Sequence, residues 1–229
     1  MATFADELKL CVVETWQRIL NHKFINEIYN GTLPIDKFIF YLEQDRIFLD
    51  EFCRFLRVVK QKSDNNIDLV KLFDNILYST VNFEMKMQDQ IIADSSNLSS
   101  SSPSSDIRRN HHLLPSKTIL EYTFYLGQVS SNGSMGECVS VMMPCPWTYL
   151  EIAQKLSKSH HIQDNQVYKK WARFYSSDES CMQVNDLKKI LCVLADDEKA
   201  NDKDRLAMKQ HFTAACRYEL LFWDTAYGS

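Results

Sequence analysis

Cys145 lies between Pro144 and Pro146, within the stretch MMPCPWTYLEIA at residues 142–153. Proline inside a helix costs about 3 kcal/mol or more, and Pro146 disfavours the helical conformation of Cys145 itself. The spacing therefore predicts that one helix ends near Cys145 and that another begins just after it, with proline in its first turn. A cysteine there faces the positive end of a helix dipole, which favours a thiolate nucleophile. The alternative is a small buried apolar residue at a kink.

Asp45 and Glu219 each lie at the centre of an apolar helical stripe, with neighbours spaced at i, i+3, i+4 and i+7. The apolar positions of the two stripes are Phe38, Tyr41, Leu42, Phe48, Leu49 and Phe52 in the first, and Phe212, Ala215, Cys216, Phe222, Trp223 and Ala226 in the second. A buried carboxylate must be paired, hydrogen-bonded or protonated, so each acid is either a structural partner of a neighbour or part of a functional site. Two acids in one cavity raise one pKa, which suits acid chemistry near neutral pH.

Three tyrosines also lie on apolar helix faces: Tyr122, Tyr149 and Tyr175. Each tyrosine alone is typical of a core aromatic residue whose hydroxyl has a hydrogen-bond partner. One thiol, two interior acids and three interior tyrosines together are more polar groups than a plain core needs. They predict a pocket for a flat heterocycle that forms hydrogen bonds.

Helices must position these side chains, because the chain has only five glycines and five prolines and keeps a helical period over long segments. Thr3 and Asp6 resemble a capping box that opens the first helix, which we expect to end at Gly31. The remaining predicted helices run from the TLPIDKF segment to about Lys62 and over 66–94, 117–130, 135–143, 146–159, 166–176, 182–197 and 203–227. We predict an all-α fold, with residues 1–229 forming a single domain and a serine-rich loop at about 95–116.

Composition excludes several classes of protein. The formal net charge is -4 without a basic stripe, so we expect no nucleic-acid partner. The seven cysteines form no C-x-x-C pair, which favours reduced thiols over disulfides or a zinc ribbon. No apolar stretch approaches the ~20 residues of a membrane span, and the first residues lack the features of a signal peptide. We therefore expect a cytoplasmic protein that does not bind a membrane.

The histidines give no metal or haem site. His111 and His112 are adjacent in the serine-rich loop without a spaced carboxylate, so we expect both to be solvated. No glutamate has a histidine three residues later, which argues against a di-iron bundle. His22 is the plausible axial ligand for haem, but its neighbours indicate a helix end or the surface. Glycine-rich nucleotide motifs and G-x-S-x-G are absent, and we expect neither metal nor cofactor.

Four segments resemble the TenA-type thiaminase II family, the aminopyrimidine aminohydrolases of thiamin salvage. They are GTLPIDKFIFYLEQD, MMPCPWTYLEIA, VYKKWARFYS and YELLFWDTAY, and the likeness runs over nearly the whole chain. The Pro-Cys segment is similar to that of the branch that uses a cysteine. The resemblance implies a haem-oxygenase-like multi-helix bundle without haem, assembled as a homotetramer.

The resemblance also implies catalytic roles. Cys145 would be the nucleophile, and Glu219 would donate a proton to the leaving group. Asp45 would hold a ring nitrogen and the 4-amino group of a pyrimidine. The expected reaction converts 4-amino-5-aminomethyl-2-methylpyrimidine to the hydroxymethyl pyrimidine and ammonia, and thiamin could be cleaved by the same route. The alternative is a non-catalytic pyrimidine-binding or regulatory protein.

The other residues carried over by the resemblance bind the substrate. Tyr149 and Tyr175 would contact the ring or a nearby water, and Tyr122 would line the pocket. Phe48 and Phe222 would pack on the ring faces. The best-known family members carry a tyrosine at the position of Phe48, whose hydroxyl would assist the cysteine, so its absence here bears on the rate.

Overall fold

The computed structural model describes residues 2–63, 66–98, 114–197 and 201–228, and every regular element in these ranges is a helix. In chain order the elements are α1 (Phe4–Cys11), α2 (Val13–Leu20), α3 (Lys23–Tyr29), α4 (Ile35–Lys62), α5 (Ile67–Ser79), a π segment (Thr80–Glu84), α6 (Met85–Leu98), α7 (Lys117–Asn132), α8 (Met135–Met142), α9 (Pro144–Leu156), α10 (His160–Asp164), α11 (Gln166–Tyr175), α12 (Asp178–Ala195) and α13 (Asp202–Gly228). None of the described helices is both long enough and apolar enough to cross a bilayer.

The first predicted helix is divided into α1, α2 and α3. Thr3 and Asp6 form the predicted capping box of α1. The chain then leaves helical geometry at Val12 and again before α3, where His22 Nδ1 accepts a hydrogen bond from the backbone N–H of Phe24. The prediction of one helix up to Gly31 was wrong, because neither break is marked by proline or glycine. Gly31 itself adopts a φ of +70° just beyond α3, a conformation that glycine accepts without strain.

The predicted helix over 66–94 is interrupted by the π segment. A π turn inserts an extra residue into a helix and is frequent at functional sites. Here it ends at Glu84, which lines a cavity. The helix after it continues through Ser95 to Leu98, so the serine-rich loop begins later than predicted. The rest of that loop, with His111 and His112, lies outside the described residues over 99–113.

The two predicted stripes are buried as expected. The helices α4 and α13 carry them, and every apolar position named for each stripe is buried, as are Asp45 and Glu219. Aromatic rings join the stripes: the centroid of Tyr41 lies 5.0 Å from that of Trp223, which lies 5.5 Å from that of Tyr149. Both acids are therefore held inside a densely packed aromatic interior.

Candidate active site

A cavity of about 50 Å³ opens beside Cys145, between α4, the π segment, α9, α11 and α12. Its walls combine the apolar side chains of Leu49 and Phe52 with the polar groups of Glu84 and Tyr175. A buried water needs about 10–15 Å³ on this measure, so the cavity holds only a few waters. Its size and mixed lining match a small polar ligand.

Cys145 is the second residue of α9, because Pro144 occupies the first position. The predicted helix break is confirmed, since α8 ends at Met142. The prediction that the next helix begins after the cysteine was wrong. Helix α9 starts at Pro144, two residues before the predicted start at 146, because proline is favoured in a first helical turn. The thiol is half-buried and lines the cavity.

The surroundings of Cys145 oppose its ionisation to a thiolate. Desolvation raises its pKa well above the ordinary range, and the nearby carboxyl groups of Glu219, Asp45 and Glu84 raise this pKa further. These effects act against the helix N-terminus, whose favourable contribution is about 0.3–2 kcal/mol. Cys145 lies in the first turn of α9, where the helix dipole favours a thiolate as expected, but burial and the nearby carboxyl groups oppose it, so a base would assist removal of the proton.

Asp45 is buried on α4 and bonded to other polar groups. Its Oδ2 accepts a hydrogen bond of 2.6 Å from Nε2 of Gln88, and the hydroxyl of Tyr41 lies 3.5 Å from the same oxygen. Desolvation and the charge of Glu84 raise the pKa of Asp45 well above its usual range. Both effects favour the neutral form of the carboxyl group, which can donate a hydrogen bond.

Glu219 is 2% exposed on α13, and its Oε1 accepts a 2.8 Å hydrogen bond from the hydroxyl of Tyr122. Burial raises the pKa of Glu219 to about 7, although the bond from Tyr122 opposes the rise. A carboxyl group with this pKa can both accept and donate a proton near neutral pH, which suits general acid–base catalysis.

Tyr149 and Tyr175 form part of the cavity wall, with their ring centroids 5.0 Å apart. The hydroxyl of Tyr149 lies 3.3 Å from that of Tyr41, which donates to it. The hydroxyl of Tyr175 donates a 2.7 Å hydrogen bond to Oε1 of Glu84. Burial raises the pKa of Glu84 to about 7, so this side of the cavity carries a second titrating carboxyl group.

The structure brings only part of the predicted set to the cavity wall, namely Cys145, Tyr149 and Tyr175. The other predicted residues, which are buried away from this wall, are Asp45, Phe48, Tyr122, Glu219 and Phe222. Asp45 connects to the wall through Gln88, whose Nε2 lies 3.4 Å from the hydroxyl of Tyr175. The two phenylalanines pack against site tyrosines: the ring centroid of Phe48 lies 5.1 Å from that of Tyr122, and the centroid of Phe222 lies 5.6 Å from that of Tyr41.

The sequence-based prediction missed Tyr41, Glu84 and Gln88. Tyr41 precedes Asp45 by one helical turn, and Glu84 precedes Gln88 by the same spacing, so each pair shares a helix face. That spacing is a usable signal for the first pair, because the stripe around it is evident. The second pair is not evident from the sequence, because the π segment changes the helical phase between the apolar positions of α5 and the face that carries Glu84 and Gln88.

No cluster of three or more His, Cys, Asp or Glu side chains in the described ranges could hold a metal ion.

Glu219→Gln should change how stability depends on pH. In the unfolded chain Glu219 loses its proton near pH 4.5, and in the folded protein near pH 7. Between these values the folded state binds more protons, so Glu219 lowers the free energy of unfolding as pH rises to 7. Glutamine does not ionise, so the variant lacks this loss of stability. We expect its free energy of unfolding to rise by about 2–3 kcal/mol relative to that of wild type between pH 5 and pH 8, measured by chemical denaturation. An identical pH dependence in both proteins would show that Glu219 ionises normally.

The chain is similar to known proteins over nearly its full length. The model of the TENA/THI-4/PQQC family matches residues 11–229. An aminopyrimidine aminohydrolase of Halalkalibacterium halodurans is 29% identical over 228 residues, which cover 99% of this chain and 96% of the relative. An aminopyrimidine aminohydrolase of Helicobacter pylori is 30% identical over 216 residues, which cover 93% of this chain and 94% of the relative.

Solved structures share the fold. A TenA homologue from P. horikoshii OT3 superposes with a TM-score of 0.82 at 23% identity and covers 99% of both chains. A domain of unknown function from Shewanella denitrificans, described as having a heme oxygenase-like fold, superposes with a TM-score of 0.72 at 14% identity, over 97% of this chain and 91% of that one. The prediction of an all-α, haem-oxygenase-like bundle is confirmed.

Proposed function

The chain belongs to the TENA/THI-4/PQQC family, and from that premise we propose that it is an aminopyrimidine aminohydrolase of thiamin salvage. The substrate would be 4-amino-5-aminomethyl-2-methylpyrimidine, and the products the hydroxymethyl pyrimidine and ammonia. One observation carries the proposal: the thiol of Cys145 lines a cavity and lies within electrostatic reach of two buried carboxyl groups, Glu219 and Asp45, whose pKa values are both raised by burial. This combination supplies a nucleophile, a hydrogen-bond donor and a proton shuttle.

Binding places the pyrimidine ring against Cys145. The neutral carboxyl group of Asp45 donates to a ring nitrogen and contacts the 4-amino group. Tyr149 and Tyr175 hold the ring or a water beside it, while Tyr122 lines the pocket on the side of Glu219. Phe48 and Phe222 would pack on the ring faces once the ligand displaces the present ring contacts.

Attack follows from proton transfer to Glu219. The ionised Glu219 takes the proton of the Cys145 thiol, and the sulfur bonds to the ring carbon adjacent to the one that carries the methylene. The hydrogen bond from Asp45 draws the added electron density toward the ring nitrogen. Nucleophilic catalysis thus divides one difficult displacement into two easier steps.

Release completes the cycle. Glu219 returns the proton to the amine nitrogen, the C–N bond breaks, and ammonia leaves an exocyclic methylene on the ring. Water adds to the methylene and gives its proton to Glu219. The S–C bond then breaks, the thiol regains that proton, and the hydroxymethyl pyrimidine departs. Thiamin would be cleaved similarly, with the thiazole alcohol as leaving group.

The experiment that tests this function is an assay of ammonia release from the aminomethyl pyrimidine by the purified protein. We expect ammonia and hydroxymethyl pyrimidine in equal amounts, measured by coupled enzymatic detection and chromatography. Tight binding of the pyrimidine without turnover would instead support the second candidate, a binding or regulatory protein. Phe48 motivates that candidate, because its ring packs beside Tyr122 but lacks the hydroxyl of the tyrosine that the resemblance implies at this position.

We further propose a cytoplasmic homotetramer. All seven cysteines are free thiols, as expected in a reducing compartment. Large apolar side chains are exposed at Leu120 and Phe124 on α7 and at Leu221 on α13, which packs against α7. Such exposed apolar groups support self-association. Light scattering of the purified protein measures the oligomeric state, and a monomer at micromolar concentration would contradict it.

A further inference from the structure

Gln88 carries a buried acceptor that no described group satisfies. Its side chain on α6 is 0% exposed, and its Oε1 has no hydrogen-bond partner. Native proteins pair the great majority of buried polar atoms, because an unpaired atom loses the bonds that it makes to water. An orphaned acceptor beside a candidate site therefore indicates that a ligand supplies the donor.

The neighbours of Gln88 fix which end of its amide is free. Its Nε2 lies 2.6 Å from Oδ2 of Asp45 and 3.4 Å from the hydroxyl oxygen of Tyr175. The hydroxyl of Tyr175 donates its own proton to Glu84, so toward Gln88 its oxygen is an acceptor. Both neighbours thus require the amide N–H groups, and Oε1 must point away from them.

An aminopyrimidine presents the matching pattern. Its ring nitrogen is an acceptor for the neutral Asp45, and its 4-amino group has two N–H donors next to that nitrogen. Resting on the function proposed above, we propose that Gln88 is a specificity-determining residue whose Oε1 accepts one N–H of the 4-amino group, while Asp45 contacts the ring nitrogen and the other N–H.

This arrangement selects against pyrimidines without the amino group. A 4-oxo group would place its oxygen against Oε1 of Gln88, and a bare ring carbon would leave that oxygen unpaired in the complex. A site whose buried polar groups are satisfied only by the correct ligand discriminates more strongly than an apolar pocket does.

The test compares two ligands that differ only at position 4. They are 4-amino-5-hydroxymethyl-2-methylpyrimidine and 5-hydroxymethyl-2-methylpyrimidine, whose Kd values are measured by calorimetry without turnover. The ratio compared is the Kd of the pyrimidine without the amino group divided by the Kd of the aminopyrimidine. In Gln88→Met, we expect this ratio to fall about tenfold relative to wild type. Lost packing alone would weaken both ligands equally and leave this ratio unchanged.

The matched control is Gln90→Met on the exposed face of the same helix, where Oε1 accepts a bond from Lys170. We expect the control to keep the wild-type ratio. A Gln88→Met protein with that ratio would overturn the assignment even if the aminomethyl substrate is hydrolysed. If wild type binds neither pyrimidine, the proposed function itself fails, and the assignment with it.

A second measurement does not depend on the stability of the variant. In a crystal of the wild-type protein with the aminopyrimidine, we expect Oε1 of Gln88 within about 3.2 Å of the amino nitrogen. An amino nitrogen beyond hydrogen-bond distance from Gln88 would overturn the assignment.

Discussion

Cys145→Ser should lower turnover of the aminomethyl pyrimidine by about 10³–10⁶-fold, the range seen when an enzyme loses its nucleophile. A serine hydroxyl is far harder to deprotonate than a thiol, and Glu219, with a pKa of about 7, cannot ionise it appreciably. The side chains are similar in size, so the cavity wall should persist. Single-turnover kinetics and calorimetry with the hydroxymethyl pyrimidine should show lost chemistry and a nearly unchanged Kd.

Cys192→Ser is the matched control for this variant. Cys192 is also half-buried, but it lies on α12 outside the cavity wall. The control should keep the wild-type rate and stability. A normal rate for the Cys145→Ser protein would contradict the covalent step. Water would then have to attack the pyrimidine directly.

Glu219→Gln should lower kcat by about 10²–10⁴-fold, which is the usual contribution of general acid–base catalysis. Glutamine keeps the size of the side chain and an oxygen for the hydroxyl of Tyr122, but it cannot take or return a proton. Steady-state kinetics should therefore show a lower kcat with little change in KM. The same change should stabilise the folded protein above pH 7, so activity and stability should move in opposite directions.

Glu121→Gln makes the same chemical change on the exposed face of α7, near Lys117. Its kcat should equal that of wild type. A Glu219→Gln protein with an unchanged kcat and a raised KM would assign Glu219 to substrate binding, and another group would then have to carry the proton.

Helical periodicity was enough to predict the two buried acids, because the spacing of the apolar residues determines which face of each helix packs into the core. Asp45 and Glu219 lie in stripes whose apolar neighbours must face inward, and burial of the stripe carries the acid inside. Burial then raises the pKa values of both acids, whereas the sequence predicted that a shared cavity would raise only one of them. This part of the site depends on local spacing, which a single chain displays directly.

Features that depend on tertiary contacts could not be predicted. The pKa of the Cys145 thiol is raised by desolvation and by carboxyl groups on three distant helical segments. Both effects oppose the influence of its own helix dipole. The breaks at Val12 and before α3 have no proline or glycine signal, and the π segment before Glu84 has none either. Gln88 belongs to the same class, because its importance arises only from its contacts with Asp45 and Tyr175.

A structure of the wild-type protein with hydroxymethyl pyrimidine bound tests the central claim most directly, because it shows whether Asp45, Cys145 and Glu219 meet around one ring. We predict an oxygen of Asp45 within about 3.2 Å of a ring nitrogen and Sγ of Cys145 within about 3.5 Å of a ring carbon. Glu219 should then lie on the side of the hydroxymethyl group. A ring bound elsewhere, or a sulfur beyond van der Waals contact of about 4 Å, would contradict the account.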